Sequence, residues 1–467
     1  MTLRRYERYK NSGVEWLGPV PAHWEVTRLK FIAHVQTGVA KGKDNTGQET
    51  VLVPYLRVAN VQDGYLDLED VSNIEIPADD LPRYRLRAGD VLMNEGGDFD
   101  KLGRGHVWDG SIDPCIHQNH VFAVRPFGVS PQWLNLVTGS AYAQFYFMSR
   151  SKQSTNLASI SSTNVMELPV VLPPMAEQEG ISAYLGLETA KIDALIAEQQ
   201  RLILLLAEKR EAAVAQALTK GLSQSAPTKH SGIEWLGKVP AHWTVVRLGQ
   251  ISTSRCDGPF GSGLKSEHYT DSGVRVVRLQ NIRGDGFFDE STAYIDSTYY
   301  AEHLGDHDVV AGDLLLAGLG DERNTVGRAC VAPDNIGPAM VKADCFRFRL
   351  DRAEALPSFV AFALNVSAVA DAGFLAGGST RSRIPLSVMA SRQVPLPPIE
   401  EQSQIVSMLG RTLAEMSLLS AEAEHAIALF RERRSALIAT AVTGQIDLRH
   451  TTPLGSVLAE TAADVAS

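Results

Sequence analysis

One stretch restricts what this chain can fold into more than any other. From Pro173 to Leu222 it reads PPMAEQEGISAYLGLETAKIDALIAEQQRLILLLAEKREAAVAQALTKGL. The Pro-Pro pair stops a preceding strand and pre-sets a first helical turn. Glu177, Gln178 and Glu179 then place acceptors and negative charge at the positive end of the helix dipole. Behind them Leu185, Glu188, Ile192, Leu195, Gln199, Leu202, Leu206, Lys209 and Ala213 recur in alternating steps of three and four. That is the spacing of a coiled-coil seam with polar interruptions. No proline or glycine occurs between Leu187 and Lys220. At 1.5 Å per residue, about 43 helical residues make a rod of roughly 65 Å. A rod of that length needs a partner to cover its apolar stripe.

The nearest partner lies in the same chain. LPPIEEQSQIVSMLGRTLAEMSLLSAEAEHAIALFRERRSALIATAVTGQI begins at Leu396 and repeats the element at an offset of 224. Pro173-Pro174 matches Pro397-Pro398, Gln178 matches Gln402, Gly186 matches Gly410, and Lys209-Arg210 matches Arg433-Arg434. The second seam, Leu409, Met416, Leu419, Ala423, Ala426, Phe430 and Leu437, falls in register with the first. Two unrelated arms that recruit other proteins are the alternative. The shared seam, start and length favour an internal pair.

A second block also occurs twice. SGVEWLGPVPAHWEVTRLKFIA, Ser12 to Ala33, recurs as SGIEWLGKVPAHWTVVRLGQIS, Ser231 to Ser252, at an offset of 219. Trp16, Pro21, His23, Trp24, Arg28 and Leu29 match Trp235, Pro240, His242, Trp243, Arg247 and Leu248. Two tryptophans around a proline build a hydrophobic plug more readily than a ligand box. Between each block and its helix lie short β-type runs with Gly and Asp turns. In the first half these are VPYLRVANV, AGDVLMNEGG, RGHVW and HVFAVRP; in the second, VRVVRLQNI, AGDLLLAGLG, GRACVA and CFRFRL in the same order. Such alternation predicts a mixed, mainly antiparallel sheet. A helical patch follows each time (PQWLNLVTGSAYAQFYFMS, then PSFVAFALNVSAVADAGF), and then a polar loop.

The expected fold is therefore α+β, a tandem duplication of two mixed α/β bodies with two long helices packed antiparallel about a pseudo-twofold axis. The segments are residues 1–170 (first body, with the 12–33 box), 171–224 (first helix), 225–394 (second body, with the 231–252 box), 395–450 (second helix) and a tail, 451–467. Framework repeated and surface changed is what two recognition sites on one frame look like.

Several chemistries are excluded. No Asn/Asp-Pro-Pro-aromatic turn precedes a methyl-donor loop, and no phosphate-binding loop of the P-loop type exists. His117 and His120 form an HxxH without thiols or carboxylates at ligand spacing, so they read as loop histidines and no metal site is expected. Asp257, Glu267 and Asp271 have no nuclease-like spacing. The four cysteines, Cys115, Cys256, Cys330 and Cys345, lack CxxC spacing and read as free thiols of a reducing compartment. No secretion signal or membrane span is evident, so a cytoplasmic location is expected. With Lys+Arg 44 against Asp+Glu 54, the formal net charge of −10 argues against a general nucleic-acid coat.

Local nucleic-acid features are nonetheless paired across the duplication. LRVANV carries Arg57 and Asn60; VRLQNI carries Arg278, Gln280 and Asn281. Arg can fork onto guanine, and Asn or Gln can bridge adenine. The loops with Lys152, Ser154, Thr155 and Asn156, and with Ser379, Thr380, Arg381 and Arg383, offer donors for phosphate. Arg104 and Arg328 also correspond.

The two GxEWLGxVPAHW boxes, AGDVLM with AGDLLL, and LPPMAEQ with LPPIEEQ occur in one order, twice, over essentially the full length. In this the chain resembles the specificity (S) subunits of type I restriction–modification systems. The resemblance implies a non-catalytic role in which each body is a target recognition domain for one half of a bipartite double-stranded DNA sequence. The two helices would set the spacer and dock methyltransferase (M) subunits, two of them, with two restriction-translocase (R) subunits in the larger assembly. It further implies that S-adenosylmethionine, ATP and Mg sit on those partners, and that this chain binds no cofactor. Rival readings are a specificity subunit of a type IIB-like system, a coiled-coil scaffold for a non-DNA partner, and a self-sufficient DNA-modifying enzyme.

Overall fold

A computed structural model describes residues 4–42, 46–99, 102–153, 158–223, 225–260, 263–321, 324–375 and 383–449, without the side chains of 370–375. They divide into two compact units, Met1–Gln200 with Glu424–Ser467, and Arg201–Ala423. Each unit thus holds one body and one end of each long helix.

The first body opens on a short antiparallel pair, Tyr9–Asn11 with Pro19–Pro21. The strand Glu25–Arg28 then pairs antiparallel with Pro169–Leu172, so the box closes on the strand that leads into the Pro-Pro pair. Between them lies a four-stranded antiparallel sheet in the order Ala33–Thr37, Val121–Pro126, Val91–Asn94, Gly105–Val107. Next comes a three-stranded sheet, Ile116–His117, Thr50–Leu56, Ser72–Pro77, whose first pair is parallel. The helical patch forms two helices, Pro131–Thr138 and Ala141–Arg150.

The second body repeats the plan. Thr244–Arg247 pairs with Gln393–Leu396. The four-stranded sheet runs Ser252–Asp257, Cys345–Leu350, Leu314–Ala317, Ala329–Val331. The companion sheet has five strands and again one parallel pair, Val274–Val277 with Ala339–Val341. Here the helical patch is a single helix, Pro357–Leu375.

The repeated motifs have repeated physical jobs. In each AGD turn the glycine takes a left-handed conformation (Gly89 φ 93°, Gly312 φ 81°) that a side chain would strain. The aspartate behind it is buried and accepts a backbone N–H of its own turn: Arg87 N to Asp90 at 2.8 Å, Val310 N to Asp313 at 2.9 Å. An arginine on the neighbouring paired strand then clamps the same carboxylate through two donors. Arg125 holds Asp90 at 2.8 and 2.7 Å, and Arg349 holds Asp313 at 2.9 and 2.8 Å. A buried charge is tolerable when paired and hydrogen-bonded in this way.

The EQ pair at each helix start does the anchoring. Gln178 is buried, accepts Ser130 N at 3.0 Å and donates to Pro173 O at 2.8 Å. Gln402 accepts Leu356 N at 2.8 Å and donates to Pro397 O at 2.8 Å. The preceding glutamate reaches the PAHW histidine: His23 Nε2 lies 2.8 Å from Glu177 Oε2, and His242 Nε2 lies 2.7 Å from Glu401 Oε2. The adjoining tryptophans, Trp24 and Trp243, are fully buried and stand edge-on to Trp133 (5.8 Å) and Phe359 (6.3 Å).

The long helices are Met175–Lys220, 46 residues, and Ile399–Val442, 44 residues. Each ends at a glycine with φ near the left-handed minimum, Gly221 at 64° and Gly444 at 69°. Within the first unit, Ile181 and Leu185 share a core with Ile438, Ala441 and Val442. Within the second, Ala217 and Leu218 share one with Ile405 and Leu409. In each unit the start of one helix therefore meets the end of the other, which is antiparallel pairing. An ion pair, Arg434 Nε to Asp193 Oδ1 at 3.0 Å, fixes the same register in the first unit.

Three of these ten seam positions differ from the sequence expectation. Leu185, Ile192, Leu206, Leu409 and Met416 are buried, and Phe430 and Leu437 are half-buried. Leu195, Leu202 and Leu419, by contrast, are 42%, 39% and 46% exposed. The inward line passes instead through Ile196 and Ile203, and through Ile427 on the second helix. A helix with 3.6 residues per turn drifts away from a strict seven-residue repeat. Because Ile196 and Ile203 sit next to Leu195 and Leu202, the drift is absorbed by the neighbouring apolar residue.

Candidate nucleic-acid interface

The candidate reading residues lie in two corresponding turns, and the structure assigns most of them to internal work. Arg57–Asn60 and Arg278–Asn281 each form a turn of 3-10 helix after a strand. Asn60 Oδ1 accepts Arg57 N at 2.8 Å, and its amide donates to Asp67 O (2.8 Å) and Asp70 O (2.9 Å). Asn281 repeats this with Arg278 N (2.9 Å), Phe288 O (2.9 Å) and Ser291 O (2.7 Å). Both asparagines are buried. This corrects the expectation that Asn60 and Asn281 reach adenine, because their donors and an acceptor are already used to hold a loop shut.

The arginines of these turns are partly committed. Arg57 donates to Asp70 Oδ2 at 2.8 Å and Asp70 O at 3.2 Å. Arg278 donates to Ser291 Oγ at 2.8 Å and Thr292 O at 3.3 Å. Gln280 is exposed and also donates to Ser291 Oγ.

Arg328 is likewise structural. It is buried, and its guanidinium donates to Ile282 O (2.7 Å), Leu279 O (2.8 Å), Leu319 O (3.1 Å) and Thr325 O (3.2 Å). Burial lowers its pKa, although the carbonyl shell still favours the cation. A guanidinium holding four carbonyls has no fork left for a phosphate or a base, which corrects that assignment. Arg104 is half-buried just before the strand Gly105–Val107, and its carbonyl accepts Asn94 N at 3.0 Å.

Lys152 is exposed on the two-residue strand Lys152–Gln153, which pairs with Ala158–Ser159. Ser154, Thr155, Asn156, Ser379, Thr380 and Arg381 lie outside the described residues. Arg383 is described and exposed, with its Nε donating to Asp344 Oδ1 at 2.7 Å.

The HxxH histidines diverge. His117 is buried on a strand, with Nδ1 2.7 Å from Val121 O, and burial pushes its pKa down to about 4. This corrects its reading as a loop residue. His120 points outward and lies 2.9 Å from Glu95 Oε2. Among the described residues no group of three or more His, Cys, Asp or Glu could hold a metal ion. All four cysteines are free, and burial raises the thiol pKa of Cys115 and Cys330 to about 12, so these thiols stay protonated. Among the described residues no helix is long and apolar enough to cross a membrane.

Comparison with known proteins places this geometry. The family model for the type I restriction modification DNA specificity domain matches residues 240–424. A putative type I restriction enzyme MjaX specificity subunit of Methanocaldococcus jannaschii is 24% identical over 414 residues, covering 87% of this chain and 91% of that one. The type I restriction enzyme StySPI specificity subunit of Salmonella potsdam is 22% identical, over 92% and 90% of the two chains. Among solved structures, a chain from work on complex assembly and conformational transition of the type I R-M system superposes with a TM-score of 0.66 at 18% identity, covering 91% of this chain and 99% of that one. The HsdS subunit of Thermoanaerobacter tengcongensis gives 0.54 at 18% identity, over 91% and 98%.

Proposed function

We propose a mode of target recognition from one premise: this chain belongs to the DNA specificity subunits of type I restriction–modification systems. As such it selects a DNA sequence and leaves the chemistry to other chains. Each body reads one half of a bipartite duplex target, the helical pair sets the unread spacer, and the helices dock two methyltransferase subunits that methylate adenine. Two restriction-translocase subunits complete the larger assembly. S-adenosylmethionine, ATP and Mg reside on those partners.

The observation that carries this reading is the antiparallel sharing of the helices, with residues 181 and 185 meeting 438–442 in one unit, and 217 and 218 meeting 405 and 409 in the other. Each body is thereby tied, by the same Gln and His–Glu contacts, to the start of the helix that follows it. Docking is supported by leucines that the helix pair leaves exposed: Leu187 and Leu195 in the first unit, and Leu202, Leu204, Leu205, Leu418 and Leu419 in the second. A net charge of −10 also fits a subunit whose methyltransferase partners supply much of the positive field around DNA.

The test is to map methylated adenines in cells carrying the cognate methyltransferase with and without this chain. A split motif with a fixed gap, present only with this chain, is the expected result. Adding four residues to both helices, about 6 Å of rise, should lengthen the gap by roughly 2 bp. An unchanged gap would exclude the helices as the ruler. Absence of any motif dependent on this chain would exclude the DNA-reading role.

A further inference from the structure

Beyond the turns that the sequence singles out, the two bodies share another piece of backbone, and there the side chains do not match. In the first body Glu95 N donates to His120 O at 2.9 Å and Ile160 N donates to Glu95 O at 2.9 Å. In the second, Gly318 N donates to Asp344 O at 2.7 Å and Ile384 N donates to Gly318 O at 2.8 Å. Gly96 pairs with Ser159 as Leu319 pairs with Arg383. The turn Gln118–Val121 closes at 2.9 Å, as does Lys342–Cys345. Behind both turns a glycine lies so close that a Cβ would sit 2.0 Å from His117 O at Gly38, and 2.1 Å from the Lys342 carbonyl carbon at Gly258. Glu95 therefore corresponds to Gly318, Asn119 to Ala343, His120 to Asp344, and Ser159 to Arg383.

On this common platform the first body presents Glu95, Asn119 and His120. The His120 side chain is 58% exposed, its Nδ1 lies 2.9 Å from Glu95 Oε2, and the Asn119 amide lies 3.4 Å from its Nε2. The second body presents an arginine in a different place. Arg383 is 56% exposed, is oriented by Asp344 through Nε, and lies 5.0 Å over the exposed ring of Phe260. Neither terminal amino group of Arg383 makes another hydrogen bond among the described residues. Asp344 itself is held in a left-handed conformation (φ 64°), with its N–H donated to Asp257 Oδ1 at 3.2 Å.

A group that distinguishes bases in two different half-sites must meet four conditions. It must be exposed, be fixed by rigid backbone, keep unused donors or acceptors, and differ between the two bodies. In the Arg57–Asn60 and Arg278–Asn281 turns the asparagines are buried and the arginines recur in both bodies; Gln280 is exposed and differs from Ala59, but its amide is already given to Ser291. On the platform Arg383 meets all four, and in the first body the exposed His120 orients Glu95, whose side chain is 26% exposed.

We propose that this platform carries the base-discriminating side chains of each body. Arg383, aimed by Asp344 and propped on Phe260, forks onto a guanine in the half-site of the second body. Glu95, with His120 and Asn119 beside it, takes a base that offers an exocyclic amine in the half-site of the first. The inference rests on the DNA-reading role and narrows it to named residues.

The experiment uses the complex of this chain with its methyltransferase and maps the methylated motif for Arg383→Ala, Arg383→Lys and Glu95→Gln. Arg383→Ala should relax one guanine position of one half-site, lowering the preference there roughly 10- to 100-fold, with the other half-site and the gap intact. Arg383→Lys should relax it too, because an ammonium cannot fork. Glu95→Gln should act on the opposite half-site alone. If the wild-type complex yields a bipartite motif and the variants keep it unaltered, the platform is not the reader although the chain still reads DNA. If the wild type yields no bipartite motif, the DNA-reading role fails first. Should Arg383→Ala abolish methylation, competition binding with duplexes altered one base pair at a time supplies the readout. Unchanged preference at every position would then overturn the proposal.

Discussion

The two bodies are built on one skeleton, and the places where they part company are informative. Both clamp a buried AGD aspartate with an arginine, close an asparagine turn on itself, and seal the helix start with a glutamine. Yet among the described residues Arg125 is the arginine that clamps Asp90 by itself, whereas the arginine on Asp313 also holds Asp308 at 2.8 Å, with Arg347 donating to that second carboxylate at 2.9 Å. In the first body Tyr6 donates to Glu177 and the Trp24 indole N–H has no partner among the described residues; in the second the Trp243 indole donates to Glu401 at 3.2 Å. What repeats is buried and holds shape. What differs is exposed or sits in a layer just beneath the surface, where a substitution can be absorbed without loss of the fold.

The largest expected difference between the bodies concerns the aspartates. Asp90→Ala leaves Arg125 with no carboxylate at that site and should cost about 3–5 kcal/mol. Asp313→Ala leaves Arg349 paired with Asp308 and should cost clearly less. Urea denaturation of the two variants would check this, and equal losses would break the comparison.

A difference in pH dependence follows. His117 is neutral in the folded first body down to about pH 4, because burial opposes its charge, while an unfolded histidine takes up a proton below about pH 6.5. The unfolded state therefore binds more protons between those values, and stability falls as pH drops through that window, by up to about 3 kcal/mol. Asp257 has the opposite sign. Partial burial raises its pKa to about 6, so between about pH 4 and pH 6 the folded second body holds the proton that the unfolded chain has released. Its contribution therefore declines as pH rises through that window. Denaturation midpoints of His117→Leu and Asp257→Asn across pH 4–7 should show the two slopes removed in opposite directions.

The smallest expected effect is in the tryptophan plugs. Trp243→Phe loses a hydrogen bond that Trp24→Phe does not, so the two variants should differ by about 1 kcal/mol once the shared loss of packing is subtracted. Identical destabilisation would mean that the Glu401 contact contributes nothing net.

Much of the frame was legible in the sequence because it rests on short-range rules. The Pro-Pro starts, the uninterrupted helical runs and the AGD turns each follow from residue chemistry within a few positions. The duplication supplied the partner for each helix, whereas the anchoring of each helix start by its glutamine came only from the fold. The candidate interface was less legible. Asn60, Asn281 and Arg328 have the side chains that bind nucleic acid, and those same donors serve equally well to close a loop. Only burial and hydrogen-bond partners separate the two uses. Glu95 and Asp344 carried no signal at all, since their placement depends on which strands pair.

The sequence alone determined that two like bodies alternate with two long helices, because periodicity and repeated motifs are properties of the chain itself. Tertiary structure decided which stripe of each helix faces inward, moving the seam from Leu195 and Leu202 to Ile196 and Ile203. It also decided which polar side chains remain exposed: Asn60 turned inward, while Arg383 stays exposed with Nε on Asp344. The physical reason is common to both. Helical drift and hydrogen-bond satisfaction are settled by neighbours far apart in sequence, and those neighbours meet only in the folded chain.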